Sequence, residues 1–387
     1  MKPWRCLFWV QSLLGSGHLR RALLVAEALA ARGAVVTLVN GGLPGPWAAA
    51  SGVEVAQLPP VIAKGTDFGA LVEPDGSPVT AALRAERGRR LLELLARTSP
   101  DVLVTEMFPF GRRRFRDELI PLLDAARAWP SPPVIAASVR DVLVTKPDPA
   151  RYAWMAELCR RCYDRVLVHG DRHLLPFGAS FPLAETLGRR LVHTGFVRPS
   201  VPAPIAEPAA PPTVLVSAGG GAVGDRLLAT ALAARSLSAW REAPWLLVGG
   251  QNLPEATFAA LAARTPAGCS LARHRADLPI LMGRCRVSVS QAGYNTVVEG
   301  LIARARMVLV PFATAGEDEQ TRRAARLSDL GLATMIAEDA LTPSALADAI
   351  DRGAAGPRPA AGAWSFDGAE RSAEILAALV AERRRVA

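Results

Sequence analysis

VSQAGYNTVVEGLIARARMVLVPF, residues 289–312, is an apolar strand that runs into small residues, then a helix, then a second apolar strand. Its opening recurs in role at VQSLLGSGH (10–18) and VSAGGGAVG (216–224). At such a strand-to-helix turn the first N–H groups of the helix lack partners and sit at the positive end of its dipole, so each turn is a candidate phosphate seat. Two of the three lie in the second half of the chain, and the first carries His18. One half is therefore expected to hold a phosphorylated ligand and the other to supply chemistry.

The alternation extends outward from these turns. Short apolar runs at 5–10, 34–39, 53–57, 101–105, 133–138, 164–168 and 190–193 are separated by longer amphipathic stretches. In one of these, 17–32, Leu19, Ala22, Leu23, Ala26 and Leu29 recur at helical spacing. Near-continuously apolar strands alternating with helices imply a parallel sheet covered on both faces. RPSVPAPIAEPAAPP (198–212) has six prolines and no periodicity, and reads as a stiff linker. The alternation then restarts at 213–217 and continues through 245–248, 269–272, 285–289, 307–310 and 333–336, and a helix from about 369 ends the chain. The expected organisation is an α/β domain over 1–197, the linker, a second α/β domain over 213–368, and a terminal helix over 369–387 that packs back on the first domain. Two doubly wound Rossmann-like domains with parallel sheets facing across a cleft follow.

Length alone favours two domains, since 387 residues exceed one ordinary core. No apolar run reaches the ~18–20 residues that span a bilayer, and MKPWRCLFWVQ reads as a buried first strand rather than a signal peptide. The five cysteines are odd in number and scattered, with one C-x-x-C at Cys159 and Cys162 and no second pair to complete a zinc site. A reducing cytoplasm fits them, with at most peripheral contact at the inner face of the membrane. The net charge of +9 is carried almost wholly by arginine, with clusters at Arg112–Arg114 and Arg383–Arg385. Only three tyrosines and no interleaving of aromatic with basic residues argue against a nucleic-acid partner. A monomer or dimer is expected.

Gly219, Gly221 and Gly224 match G-x-G-x-x-G after a strand and before a helix, but the next strand, WLLVGGQN (245–252), ends without the acid that would hold a dinucleotide ribose. No lysine follows a glycine, no G-x-S-x-G occurs, and no two aspartates are spaced D-x-D. Neither a metal nor a cofactor is expected; phosphate must be handled by backbone amides and helix ends. Glu299, about two turns into the helix after Gly293, is placed to accept from a ribose diol. Glu319 and Gln320 open the following helix, where they either bind sugar hydroxyls or complement the dipole.

With these residues in view, VSQAGYNTVVEGLIARARMVLVPF followed by GEDEQTRRAARLSDLG resembles the nucleotide-binding half of MurG-type glycosyltransferases of the GT-B class, whose donor is a UDP-sugar. The resemblance covers roughly 213–370, and G-S-G-H at 15–18 matches the family's glycine-rich loop ending in His. It implies that Gly293, Tyr294, Asn295 and Thr296 lie against the donor diphosphate, with Gly219, Gly220 and Gly221 facing it from the other side; Gln291 and Gly17 are also expected on the donor. It implies further that Glu299 binds the ribose, His274 and Arg275 meet the uracil, and Glu319 and Gln320 meet the donor sugar. Two departures stand out: Arg323 replaces an Asn of the family, and Ser138–Asp141 stands near where the family has a His-Glu-Gln-Asn acceptor motif. G-S-G-H-L-R-R also resembles the loop of UDP-sugar hydrolases of sialic-acid-like pathways, in which the His activates water.

The reading is an inverting, metal-independent transferase moving a sugar from a UDP-sugar, its donor substrate, to a small-molecule or lipid-linked acceptor. A hydrolase and a non-catalytic nucleotide-sugar binder are the alternatives. His18, kept neutral at a helix start, is the expected general base, with Glu106 or Asp141 as substitutes. Arg112, Arg140 and His169 are expected on the acceptor side, at the strand ends of the first sheet.

Overall fold

The computed structural model describes residues 3–13, 17–45, 52–64, 67–144, 148–198, 211–220, 224–313, 318–362 and 364–386. The chain divides into two compact units, one of Met1–Leu143, Pro147–Arg198 and Trp364–Ala387, the other of Val144–Lys146 and Pro199–Ala363.

The first unit runs β1 (Trp4–Val10), α1 (Gly17–Ala31), β2 (Ala34–Asn40), β3 (Val53–Gln57), β4 (Ile62–Lys64), β5 (Asp67–Val72), α2 (Ala81–Thr98), β6 (Val102–Glu106), α3 (Arg116–Arg127), β7 (Val134–Arg140), α4 (Pro149–Cys162), β8 (Arg165–His169) and β9 (Leu191–His193). Seven of these strands form a sheet in the order β3-β2-β1-β6-β7-β8-β9, every pairing parallel. Alternate side chains of a strand leave opposite faces. Leu7 and Trp9 accordingly pack with Leu91, Leu119, Leu122 and Met155 of α2, α3 and α4, whereas Cys6, Phe8 and Val10 pack with Leu19, Ala22, Val25 and Leu29 of α1. The C-terminal helix, Gly368–Val386, joins this second face through Ala373, Leu376 and Val380. The antiparallel pair β4–β5 is absent from the sequence expectation, because three- and six-residue strands with no helix between them give no alternation to read.

The second unit runs β10 (Val214–Ser217), α5 (Asp225–Arg235), β11 (Trp245–Val248), α6 (Glu255–Ala263), β12 (Cys269–Ala272), α7 (Leu278–Arg284), β13 (Val287–Ser290), α8 (Tyr294–Ile302), β14 (Met307–Leu309), α9 (Glu319–Asp329), β15 (Ala333–Met335) and α10 (Pro343–Ala355); the C-terminal helix is α11. Its sheet is β12-β11-β10-β13-β14-β15, again wholly parallel. Both sheets are doubly wound in the sense the sequence alternation requires. Each has one point where strand order reverses, β1 beside β6 and β10 beside β13, and such points are where open α/β sheets bind ligands. Among the described residues no helix is long and apolar enough to cross a membrane.

Candidate active site

In the second unit the reversal brings two of the glycine turns side by side. Ser217 pairs with Ser290, so the chains leaving β10 and β13 emerge together. Gly219 has φ +60°, a left-handed conformation that favours glycine, and a Cβ there would lie 3.8 Å from the Thr296 hydroxyl. A Cβ at Gly293 would lie 4.0 Å from the same hydroxyl, so Thr296 stands between the two turns. Gly219 and Gly220 are exposed, Asn295 and Thr296 half-buried, and Gly293 at the N-cap of α8 brings no side chain to cap the helix. The Tyr294 side chain turns inward, leaving its backbone as the part that can meet an anion. Gly221 lies outside the described residues.

Arg323 explains how the 291–294 turn is held. Although it is 1% exposed, it donates from Nη1 to the Ala292 carbonyl at 2.7 Å and sets its guanidinium 5.9 Å from the Tyr294 ring, joining α9 to the turn. Gln291 is half-buried at the start of this turn, and Glu299 is nearly buried on α8. Glu319 opens α9, and the Gln320 amide oxygen accepts from Phe312 N–H at 3.1 Å, so only its NH₂ side remains suited to a sugar. Beyond β12, His274 is exposed; Arg275 grips Asp277 through Nε and Nη2 at 2.7 and 2.6 Å and holds that carboxyl below its usual range.

In the first unit the reversal point assembles a different set. His18, the second residue of α1, places Nδ1 2.7 Å from Oε1 of Glu106, the last residue of β6. Arg21, one turn further along α1, donates to that same oxygen, and Arg140, the last residue of β7, donates to His18 Nε2. Arg112 Nε donates to the Gln11 carbonyl at 2.7 Å. A carboxylate on Nδ1 and an arginine on Nε2 assign the proton to Nδ1 and leave the ring neutral. Burial holds the His18 pKa well below its ordinary value, and the charges of Arg140, Arg112 and Arg21 push the same way. Burial raises Glu106 while the same three arginines pull it back, and its Oε2 has no hydrogen-bond partner among the described residues. The turn after Glu106 contains two non-glycine residues in the left-handed region, Met107 (φ 63°) and Arg112 (φ 57°), a strain typical of sites where geometry is held by its surroundings.

Three expectations are corrected here. Glu106 has no exposed surface and lies behind the imidazole, so it is the partner of His18 rather than a substitute base. Asp141 is 1% exposed and turns a carboxylate oxygen onto Val142 N–H at 2.9 Å, holding the bend after β7 instead of offering a base. His169 is wholly buried between the Ser138 and Thr194 hydroxyls, 2.7 and 2.9 Å from its two ring nitrogens, and presents nothing to an acceptor. Arg21 went unread, though its signal was present: it stands between Leu19 and Ala22 on the apolar stripe of α1, where an uncompensated cation is costly.

Comparison with known proteins bears on the fold and on the second half of the chain. The model of the glycosyltransferase family 28 C-terminal domain matches residues 248–364, from the end of β11 past α10. It is these residues that carry the likeness to family 28. A UDP-N-acetylglucosamine–N-acetylmuramyl-(pentapeptide) pyrophosphoryl-undecaprenol N-acetylglucosamine transferase of Phenylobacterium zucineum is 31% identical over 226 residues, 53% of this chain and 61% of its own length. In two further relatives of that name the matched part is 28% of their length, so the chain spans less than two thirds of the length of each of these relatives. The calicheamicin glycosyltransferase CalG4 superposes over 100% of this chain and 97% of its own with a TM-score of 0.63 at 18% identity. MurG of Acinetobacter baumannii does so over 98% and 95%, with a TM-score of 0.56 at 18% identity. The chain thus has the MurG-like GT-B fold that its sequence resemblance implied, with residues 248–364 matching the family 28 domain.

Proposed function

We propose that this chain is an inverting, metal-independent glycosyltransferase that moves a sugar from a UDP-sugar to an acceptor hydroxyl. The observation that carries the reading is the His18–Glu106 pair at the reversal point of one sheet, in a chain whose other sheet ends in paired glycine turns and whose residues 248–364 match the family 28 domain. The relatives matched by sequence are named for a UDP-N-acetylglucosamine donor, which makes that sugar nucleotide the first to try. In this mechanism His18 Nε2 takes the acceptor hydroxyl proton as the oxygen attacks the anomeric carbon. The bond from that carbon to the diphosphate breaks, inverting the centre and releasing UDP. Glu106 steadies the imidazolium through Nδ1–H, as a carboxylate does in hydrolytic triads. The amides at the start of α8 and in the 218–220 turn receive the charge that grows on the departing diphosphate, so no cation is required.

The test is UDP release from UDP-N-acetylglucosamine with a panel of acceptors. His18→Ala should lower kcat by about 10²–10⁴-fold while UDP binding, measured by calorimetry, stays near that of the unaltered protein. Equal turnover by the variant would sink the assignment of the base. UDP release at the same rate with and without acceptor would make water the acceptor and the protein a hydrolase.

A further inference from the structure

We infer that Arg87 is a positioning residue for the proposed base: through the Gln11 side chain it fixes the start of the segment that leads from β1 to His18, and with it the seat of the imidazole. The inference rests on the proposed role of His18 as base. Arg87, in the middle of α2, is 1% exposed, and each of its five N–H groups has an acceptor. Nε and Nη2 grip the two oxygens of Glu118 on α3, both at 2.9 Å. Nη1 donates to the carbonyls of Gly41 and Pro59, and Nη2 donates also to Gln11 Oε1 at 2.8 Å. Gln11, the residue after β1, has no exposed surface, and its Nε2 donates to the Ser12 and Val61 carbonyls at 3.1 and 2.9 Å. Its own carbonyl accepts from Arg112 Nε. One guanidinium thus joins α2, α3, the end of β2, the loop between β3 and β4, and the start of the segment to His18.

Stability alone does not account for this arrangement. Taking a cation and a carboxylate out of water costs about what their attraction returns, and apolar residues of like volume often serve as well. What the arginine adds is direction, since its planar fork holds separate acceptors in one fixed geometry and a lysine cannot. Gly41 is an independent sign that space is reserved for the contact with Gln11. Its backbone is not in the left-handed region that favours glycine, yet a Cβ there would collide with Gln11 Oε1 and lie 2.8 Å from Arg87 Nη2. The segment so pinned runs on to α1, where His18 is 8% exposed and burial is the largest influence lowering its pKa. Releasing Gln11 loosens the segment and lets water reach the ring.

The experiment uses the full chain and three variants. Arg87→Met combined with Glu118→Leu removes one charge of each sign and leaves neither ion buried alone. Gly41→Ala keeps the pair and displaces Gln11, whereas Arg87→Lys keeps the charge and loses the fork. The charged groups around the imidazole, Arg21, Glu106, Arg112 and Arg140, remain in all of them. ¹⁵N NMR of His18 needs no substrate, and thermal unfolding checks that each variant is folded. In the unaltered protein the ring should stay neutral down through ~6.5, whereas in all three variants its titration should move up toward that ordinary value. An unchanged titration in the double variant and in Gly41→Ala overturns the proposal; where either does not fold, the remaining variants decide. Arg87→Lys behaving as the unaltered protein also overturns it, because charge and not the fork would then be what matters. With UDP-N-acetylglucosamine, kcat should fall about 10²-fold, the scale of a misplaced catalytic group, while KM for the donor stays the same. A change confined to KM counts against the role. A shifted titration with unchanged kcat removes His18 from the chemistry, and the positioning role with it. If no form, the unaltered protein included, turns over any UDP-sugar, the proposed function fails, while the NMR result still decides whether Arg87 holds the ring in place.

Discussion

His18 is a residue whose protonation is set by position before any substrate arrives. Burial is the largest influence, and the nearby arginines add to it; all lower the pKa. A depressed histidine pKa keeps the neutral form populated below the usual value of ~6.5. For a general base the sign is direct: activity is present above the folded pKa and lost below it. The pH profile of kcat/KM should therefore run level from pH 8 down through 6.5, with its acid limb well below that value. An acid limb at or above 6.5 would show that His18 is not the group held neutral here. His18 was legible in the sequence because a strand end, two glycines and a helix start fix where the residue sits. The burial of Asp141 and His169 was not, because a strand end fixes only the Cα. Which way each side chain turns depends on partners far along the chain: Ser138 and Thr194 for His169, and the bend beside Gly170 for Asp141, where a Cβ on Gly170 would crowd the aspartate.

Among the elements, strand positions were readable to within two residues because buried strands are largely apolar, β11 being apolar and buried at every position. The β4–β5 pair and the coupling of α9 to the 291–294 turn were not readable, since neither leaves a periodic trace. That coupling gives Arg323 a consequence beyond its own helix. The MurG-type resemblance expects an asparagine at this position, and asparagine is too short to reach the Ala292 carbonyl that Arg323 holds at 2.7 Å. Arg323→Asn leaves that carbonyl without its donor and opens space under Tyr294. It should destabilise the second unit by about 1–3 kcal/mol, the usual cost of leaving a buried polar group unsatisfied. Because the same turn is proposed to seat the diphosphate, UDP affinity should fall as well. Thermal unfolding with and without UDP measures both effects. A variant that loses stability yet keeps full UDP affinity would show that Arg323 supports the helix alone and does not shape the turn.

Across the whole molecule, the division of the chain into units does not follow sequence order: the last stretch, from Trp364, belongs to the first unit. The backbone pairing of Val197 with Asp367 and the bond from Phe196 N–H to the Ser365 carbonyl fix its point of entry. Two kinds of contact then hold α11 in place, and their magnitudes decide between them. Arg383 reaches Asp164 at 2.9 Å and Arg384 reaches Asp101 at 3.1 Å, but these pairs are partly exposed and such bridges are worth ~0–1 kcal/mol each. Leu376, by contrast, is fully buried beside Ala22, Val25 and Leu29 of α1, where replacing leucine by alanine costs ~2–5 kcal/mol. Leu376→Ala should therefore lower the unfolding midpoint of the first unit clearly and leave that of the second unchanged, whereas Arg384→Ala should shift either by little; urea titrations of the two variants make the comparison. Equal losses would mean that charge rather than burial anchors the tail. Because α1 carries His18 and Arg21 in its first two turns, loosening its packing on α11 should also disturb the base, so Leu376→Ala should lower kcat at temperatures where the fold is still intact, although no residue of α11 takes part in the proposed chemistry.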